Sequence, residues 1–87
     1  MKLSRTTAVV FLMLSQTPQP VPAIAERLTV RGELLAHSEI REQLLRLAAA
    51  HLVTRTGAGR SPAYALAAGT SVEEVLDEAW RILHGVP

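Results

Sequence analysis

The sequence predicts one small, mainly α-helical domain that carries a two-stranded β-hairpin. The chain has 87 residues, which is the size of a single domain, and its 48% of hydrophobic residues is typical of a globular protein. Apolar residues at three- and four-residue spacing predict helices both early and late in the chain. Between these helices, two β-prone segments flank a loop that contains glycine, which predicts a hairpin.

The composition argues against several classes of protein. The chain has no cysteine, so it has no disulfide framework, no thiolate metal site and no cysteine nucleophile. Its histidines, His37, His51 and His84, are scattered, and we predict no metal and no cofactor. There is no glycine-rich phosphate loop after a strand and no Ser/His/Asp set at useful spacing. We therefore expect a protein that is not an enzyme.

The N-terminal segment has two interpretations. Lys2 and Arg5 precede the apolar run 8–14, and small residues end at Ala23, a pattern that resembles a secretory signal. The alternative is a buried first helix with Ser4 as its N-cap. The run is too short to span a bilayer, and cleavage after Ala23 would leave 64 residues without cysteine, which suits secretion poorly. We favour the buried helix, and expect a cytoplasmic protein with no membrane partner.

The first half of the chain is predicted to form two helices. Residues 4–15 form the first, and the connector 16–20 ends it because its two prolines block helix continuation. Residues 21–28 form the second helix, with Pro22 tolerated in the first turn. The connector 29–37 that follows contains a glycine and is longer than a tight turn.

The second half is predicted to contain a third helix, the hairpin and a last helix. Ser38 is the expected N-cap of the third helix, and His51 is expected to end it. Ser71, with Glu74 three residues later, has the capping-box pattern of a helix start. The predicted ranges are 38–51 for the third helix, 52–56 and 63–66 for the strands, and 57–62 for the loop.

The order of these elements and the residues within them carry a resemblance. Residues 38–53 resemble the recognition helix and first wing strand of bacterial winged helix-turn-helix transcriptional regulators, although His51 stands where that family usually has glycine. The resemblance therefore implies a positive φ at His51, which histidine permits better than most residues. Residues 54–66 resemble the basic wing, and residues 22–28 resemble the second helix. The resemblance implies a winged helix-turn-helix DNA-binding domain over 1–68 and a C-terminal helix over 69–87. In the third helix, the apolar positions of the family are filled by Ile40, Leu44, Leu47 and Ala50.

Helix geometry and the resemblance together predict a DNA-binding surface. The third helix has an apolar stripe, and its opposite face is the one that enters the major groove in a winged helix. There arginine pairs with guanine, glutamine with adenine, and glutamate accepts from cytosine. The wing is predicted to contact the backbone or the minor groove through Arg55 and Arg60, which flank the glycine tip. The full predicted set is Ser38, Glu39, Arg41, Glu42, Gln43, Arg46, Arg55 and Arg60.

The last helix is amphipathic and has two predicted roles. It can fold back to cover the first helix, or it can pair with its mate in a homodimer, as flanking helices do in many relatives. Its charge is acidic, because residues 71–87 hold four acidic residues and one basic residue, whereas residues 1–70 hold eight basic and four acidic residues. The predicted dimer interface consists of Phe11, Val75, Leu76, Ala79, Trp80 and Leu83.

Two functions remain open from the sequence. We expect a sequence-specific regulator that binds double-stranded DNA as a dimeric repressor and acts by occupying its operator. The alternative is a winged-helix module that binds a protein and no DNA. Glu39 and Glu42 favour the alternative because they repel phosphates, and Leu45 and Ala49 favour it because they give the outward face an apolar character.

Overall fold

The computed structural model of the chain describes residues 2–57 and 61–85. In these residues the chain forms four helices and one antiparallel sheet, whose strand order is β1-β3-β2. The predicted fold class, mainly α with a small β-wing, is confirmed. The elements are α1 (Arg5–Leu12), β1 (Gln19–Pro20), α2 (Val21–Val30), α3 (His37–Ala49), β2 (Val53–Thr56), β3 (Ala63–Leu66) and α4 (Thr70–His84).

Helix α1 forms the centre of the core. Ala8, Val10 and Phe11 have no exposed surface, because α1 packs against α3 and also against α4. Ser4 caps the helix as expected, since its side-chain oxygen accepts a hydrogen bond of 3.1 Å from the backbone N–H of Thr7. The apolar run near the N-terminus is therefore a core helix of the fold, and α4 folds back onto it within the same chain.

The segment before α2 is a short strand, where the sequence predicted only a connector. Gln19 pairs with Tyr64 and Pro20 pairs with Ala63, so β1 forms one edge of the sheet. A proline keeps the residue before it extended and lacks an N–H, so within a sheet it is found on an edge strand, at the first residue of a strand or at a bulge. This pairing fixes the start of α2 beside the hairpin formed by β2 and β3.

Helix α3 ends in a Schellman motif with histidine in the left-handed conformation. The N–H of Leu52 donates to the carbonyl of Leu47, and the N–H of His51 donates to the carbonyl of Ala48, both at 3.0 Å. His51 has a φ of 62°, which confirms the positive φ expected from the sequence. Helix α2 ends in the same way, but with Gly32 at the corresponding position.

Two helices begin one residue earlier than predicted. Helix α3 starts at His37 with Ala36 as its N-cap, so Ser38 lies inside the first turn and is not the cap. Helix α4 starts at Thr70, directly after Gly69. The φ of Gly69 is 133°, a backbone conformation that glycine adopts readily, and it directs the chain into the helix at this point. The prediction of a capping box that begins at Ser71 is therefore wrong, since no side chain caps α4.

A buried polar contact joins α1 to α3. The hydroxyl of Thr7 donates a hydrogen bond of 2.6 Å to Oε1 of Gln43, and the hydroxyl of Ser4 lies 2.9 Å from that of Thr7. Gln43 keeps only 7% of its surface exposed. The expectation that Gln43 contacts DNA is corrected here, because its side chain is committed to the core and cannot reach a groove.

An ion pair joins the start of α1 to the connector that follows α2. Two N–H groups of the Arg5 guanidinium donate to the Glu33 carboxylate, at 2.7 and 3.3 Å. These hydrogen bonds hold the pKa of Glu33 below its usual value. The pair therefore stabilises the fold at neutral pH, and its contribution is lost as the pH falls through the lowered pKa of Glu33. The charge of Arg5, one of the basic residues of the N-terminal segment, is therefore paired within the fold.

The contact between Thr7 and Gln43 can be tested by removing its donor. Thr7→Val keeps the shape of the side chain but leaves the buried Gln43 oxygen without its partner, which should lower the free energy of unfolding by about 1–3 kcal/mol. Urea denaturation measures the change. As a control, Thr7→Ser keeps the hydroxyl and should lose less. Equal losses in the two variants would contradict a role for the hydrogen bond.

The left-handed conformation of His51 gives a second test. His51→Gly should raise the free energy of unfolding by about 1 kcal/mol, because glycine adopts this backbone conformation without the steric cost of a Cβ. Gly32→Ala is the matched reverse change, and it should lower stability, since its cost is purely conformational with no atom within 4 Å of the new Cβ. Thermal denaturation checks both, and a loss of stability in His51→Gly would contradict the account.

Candidate nucleic-acid interface

The exposed face of α3 has a narrow outermost stripe. At about 100° per residue, the stripe lies opposite the buried Ile40, Leu44 and Leu47. Leu45, near its middle, keeps 56% of its surface exposed. We call these residues the outer stripe of α3: Ser38, Glu42, Leu45 and Ala49.

A cavity of about 180 Å³ connects α3 to the hairpin. Arg41, on one flank of the outer stripe, borders this cavity from α3, and Ser61 and Pro62 border it from the segment that leads into β3. The start of α3 and the loop end of the hairpin therefore lie side by side on one concave surface. The complete lining is Pro20, Val21, Pro22, His37, Arg41, Ser61 and Pro62.

The cavity also lies at the first turns of two helices. Val21 begins α2 and His37 begins α3. Among the described residues, no N-cap side chain accepts a hydrogen bond from the first turn of either helix. Exposed backbone N–H groups at helix starts favour anions. His37 is absent from the predicted DNA-binding residues, because the sequence placed it in the connector. Its spacing of four residues from Arg41 could have indicated it, since a helix that begins at His37 puts both residues on one face.

An ion pair occupies the centre of the exposed face of α3. Nη2 of Arg46 lies 2.9 Å from Oε1 of Glu42, four residues earlier, and both side chains are more than half exposed. The pair balances the charge of Glu42, which the sequence suggested would repel phosphates. The single hydrogen bond to Glu42 leaves other N–H groups of the Arg46 guanidinium available to a phosphate. Glu39 is exposed beside them.

On the hairpin, Arg55 is exposed and lies on the face that also covers the core. It stands directly opposite the buried Tyr64, so the two side chains project from the same face of the sheet. Among the residues that the structure describes, neither Arg55 nor Arg41 has an acidic partner within 4.0 Å. Arg60, also predicted to bind DNA, lies outside the described residues.

One solved structure has a similar fold. It is an X-ray structure of a PadR-like transcription factor from Bacteroides fragilis, with a TM-score of 0.68 over 91% of this chain and 82% of that chain, at 18% sequence identity. The chain has a winged helix-turn-helix fold. In this fold α3 occupies the position of the recognition helix, and β2 and β3 form the wing. No protein-family model matches the chain, and no curated protein matches it.

In this winged helix-turn-helix fold, the acidic helix α4 is kept apart from α3. Helix α1 packs against α3 and against α4, so it separates the two. The acidic side chains of α4 are exposed, and they project from the surface of that helix that does not contact α1. Helix α3 and the acidic surface therefore lie on different sides of the domain. The acidic residues are Glu73, Glu74, Asp77 and Glu78.

The residues predicted for a dimer interface divide into two groups. Phe11 and Ala79 have no exposed surface within the single chain, so they belong to its core and the expectation that they meet a partner is corrected. Trp80 is half exposed, and its ring centroid lies 4.3 Å from that of His84. The remaining predicted residues are half-buried against the core: Val75, Leu76 and Leu83.

Two further observations concern other kinds of site. No helix among the described residues has the length and apolar character needed to cross a membrane. Within the same residues, no group of three or more His, Asp or Glu side chains is arranged to hold a metal ion.

Proposed function

We propose that this chain is a transcriptional regulator that binds double-stranded DNA through α3 and the wing. The observation that carries the proposal is the cavity shared by Arg41 of α3 and the loop end of the wing at Ser61 and Pro62. Because both elements border one concave surface, a single duplex can contact them together. The winged helix-turn-helix fold supports this assignment, as does the excess of basic residues before α4.

Each part of the surface has a role in the proposed complex. Helix α3 enters the major groove along its outer stripe, and Arg41 and Arg46 on its flanks bind phosphates or guanine edges. The uncapped first turns of α2 and α3, together with Ser38, favour a backbone phosphate at the cavity. Arg55 and Arg60 of the wing bind the backbone or the minor groove.

We further propose that the protein acts as a dimeric repressor. The exposed half of Trp80 and the half-buried Leu76 and Leu83 form an apolar edge of α4 that a second copy can cover. A two-fold dimer would present two α3 helices to half-sites about one turn of DNA apart. The chain of 87 residues would then act by occupying its operator and excluding other proteins from it.

The second candidate function is binding of a protein by the same fold. It is favoured by the exposed apolar residues Leu45, Val30 and Leu34, which keep 56%, 83% and 81% of their surface exposed. Leu45 lies on α3, whereas Val30 and Leu34 lie at the end of α2 and in the connector after it. A duplex titration separates the two functions, because only the first requires affinity for phosphates.

DNA binding should depend on Arg41 and on salt. We expect the logarithm of the association constant for genomic duplexes to fall linearly with the logarithm of salt concentration. Arg41→Ala should weaken binding and reduce that slope by about 1, as expected for loss of one phosphate contact. Fluorescence anisotropy at several salt concentrations measures both quantities.

Arg31→Ala is the matched control for that titration. Arg31 is exposed like Arg41, but it lies at the end of α2 and lines a different cavity with Leu12, Met13, Arg27 and Val30. Its removal should leave the slope unchanged. An absent or salt-independent interaction of the wild-type chain with duplexes would contradict the proposed function and favour binding of a protein.

The dimer can be tested without DNA. Sedimentation equilibrium should give twice the chain mass of 9.4 kDa, and Trp80→Ala should shift the equilibrium towards the monomer because the exposed ring supplies apolar area to the interface. Val30→Ala, on a different helix, should leave the equilibrium unchanged. A wild-type chain that stays monomeric at micromolar concentration would contradict the dimer.

A further inference from the structure

We propose that Leu45 recognises the C5-methyl group of thymine, which makes it a specificity-determining residue of α3. The proposal rests on the proposed DNA-binding function and adds to it the base feature that the helix detects. It starts from the 56% exposure of Leu45 on a helix that buries its two other leucines, Leu44 and Leu47.

The side chain is placed where a groove-binding helix meets the bases. Leu45 belongs to the outer stripe of α3, opposite the buried Ile40, Leu44 and Leu47. Ala49 follows it one turn later and is also exposed, so the second half of the stripe is apolar. Leu45 is not part of the core cluster, and its exposed surface is therefore free of a role in holding the fold together.

The charges around Leu45 match the layout of a major groove. Glu42, the acidic residue on the stripe, is paired with Arg46 at 2.9 Å, so the stripe next to Leu45 carries little net charge. Arg41 lies on one flank of the stripe and Arg46 on the other. A major groove has a complementary pattern, with negatively charged phosphates along its two rims and base edges on its floor.

Thymine offers an apolar group that such a stripe can contact. Among the bases, thymine alone presents a methyl group in the major groove, and apolar side chains contact it. A leucine offers no hydrogen bond, so it discriminates by burying that methyl group. The loss of one buried methyl contact corresponds to an affinity change of about fourfold.

Replacing thymine by uracil tests the proposal, because this exchange removes the methyl group and leaves the base pair. The duplex that the wild-type chain retains best from a random pool is prepared with thymine and with uracil. For the wild-type chain, we expect the Kd of the uracil duplex to be about fourfold higher for each methyl group that Leu45 contacts. For Leu45→Ala, we expect weaker binding of the thymine duplex and the same Kd for both duplexes.

Leu34→Ala is the control variant. Leu34 is the more exposed of the two leucines, but it lies in the connector before α3, so its removal should leave the wild-type ratio of the two Kd values unchanged. Equal Kd values in the wild type, or an undiminished ratio in Leu45→Ala, would overturn the role of Leu45 while DNA binding itself stands. If no duplex is retained from the pool, the proposed function fails as well.

Discussion

Helix α1 is enclosed from two sides, by α3 and by α4, and this burial determines how the rest of the molecule is arranged. Ala8, Val10 and Phe11 have no contact with solvent, so both neighbouring helices must turn their apolar stripes towards α1. As a result, α3 presents its opposite face outwards, and α4 presents its acidic face outwards in another direction. The separation of α3 from the acidic helix α4 is thus a consequence of how a short apolar helix is covered.

The core also settles which polar residues are available for binding. Gln43 is drawn inwards by the hydroxyl of Thr7, whereas Arg41 remains exposed and borders the cavity beside the wing. The positions of β1 and α2 contribute to the same surface, because the pairing of Gln19 with Tyr64 holds the start of α2 against the hairpin. The candidate interface therefore draws on four elements, although only α3 and the hairpin were predicted to form it.

The pattern of apolar residues was sufficient to predict the helices and the hairpin, because these features depend on neighbours within a few residues, whereas the positive φ of His51 was expected from the glycine that the resembling family has there. It did not predict β1, since a two-residue strand acquires its partner only from the distant β3. Helix geometry placed Gln43 on a flank, and only the contact with α1 shows that the flank is buried. The dimer residues Phe11 and Ala79 were misplaced for the same reason, because the sequence left open whether α4 covers its own chain or a second one.

The central claim is that α3 and the wing form one surface that receives a duplex. Amide chemical shifts recorded while a duplex is added to the labelled chain test it most directly, since they report contact residue by residue. The account predicts that the largest changes occur between His37 and Arg46 and in the hairpin around Arg55 and Ser61, with α4 and the end of α2 little affected. Changes concentrated in α4, or confined to α3 without the hairpin, would contradict it.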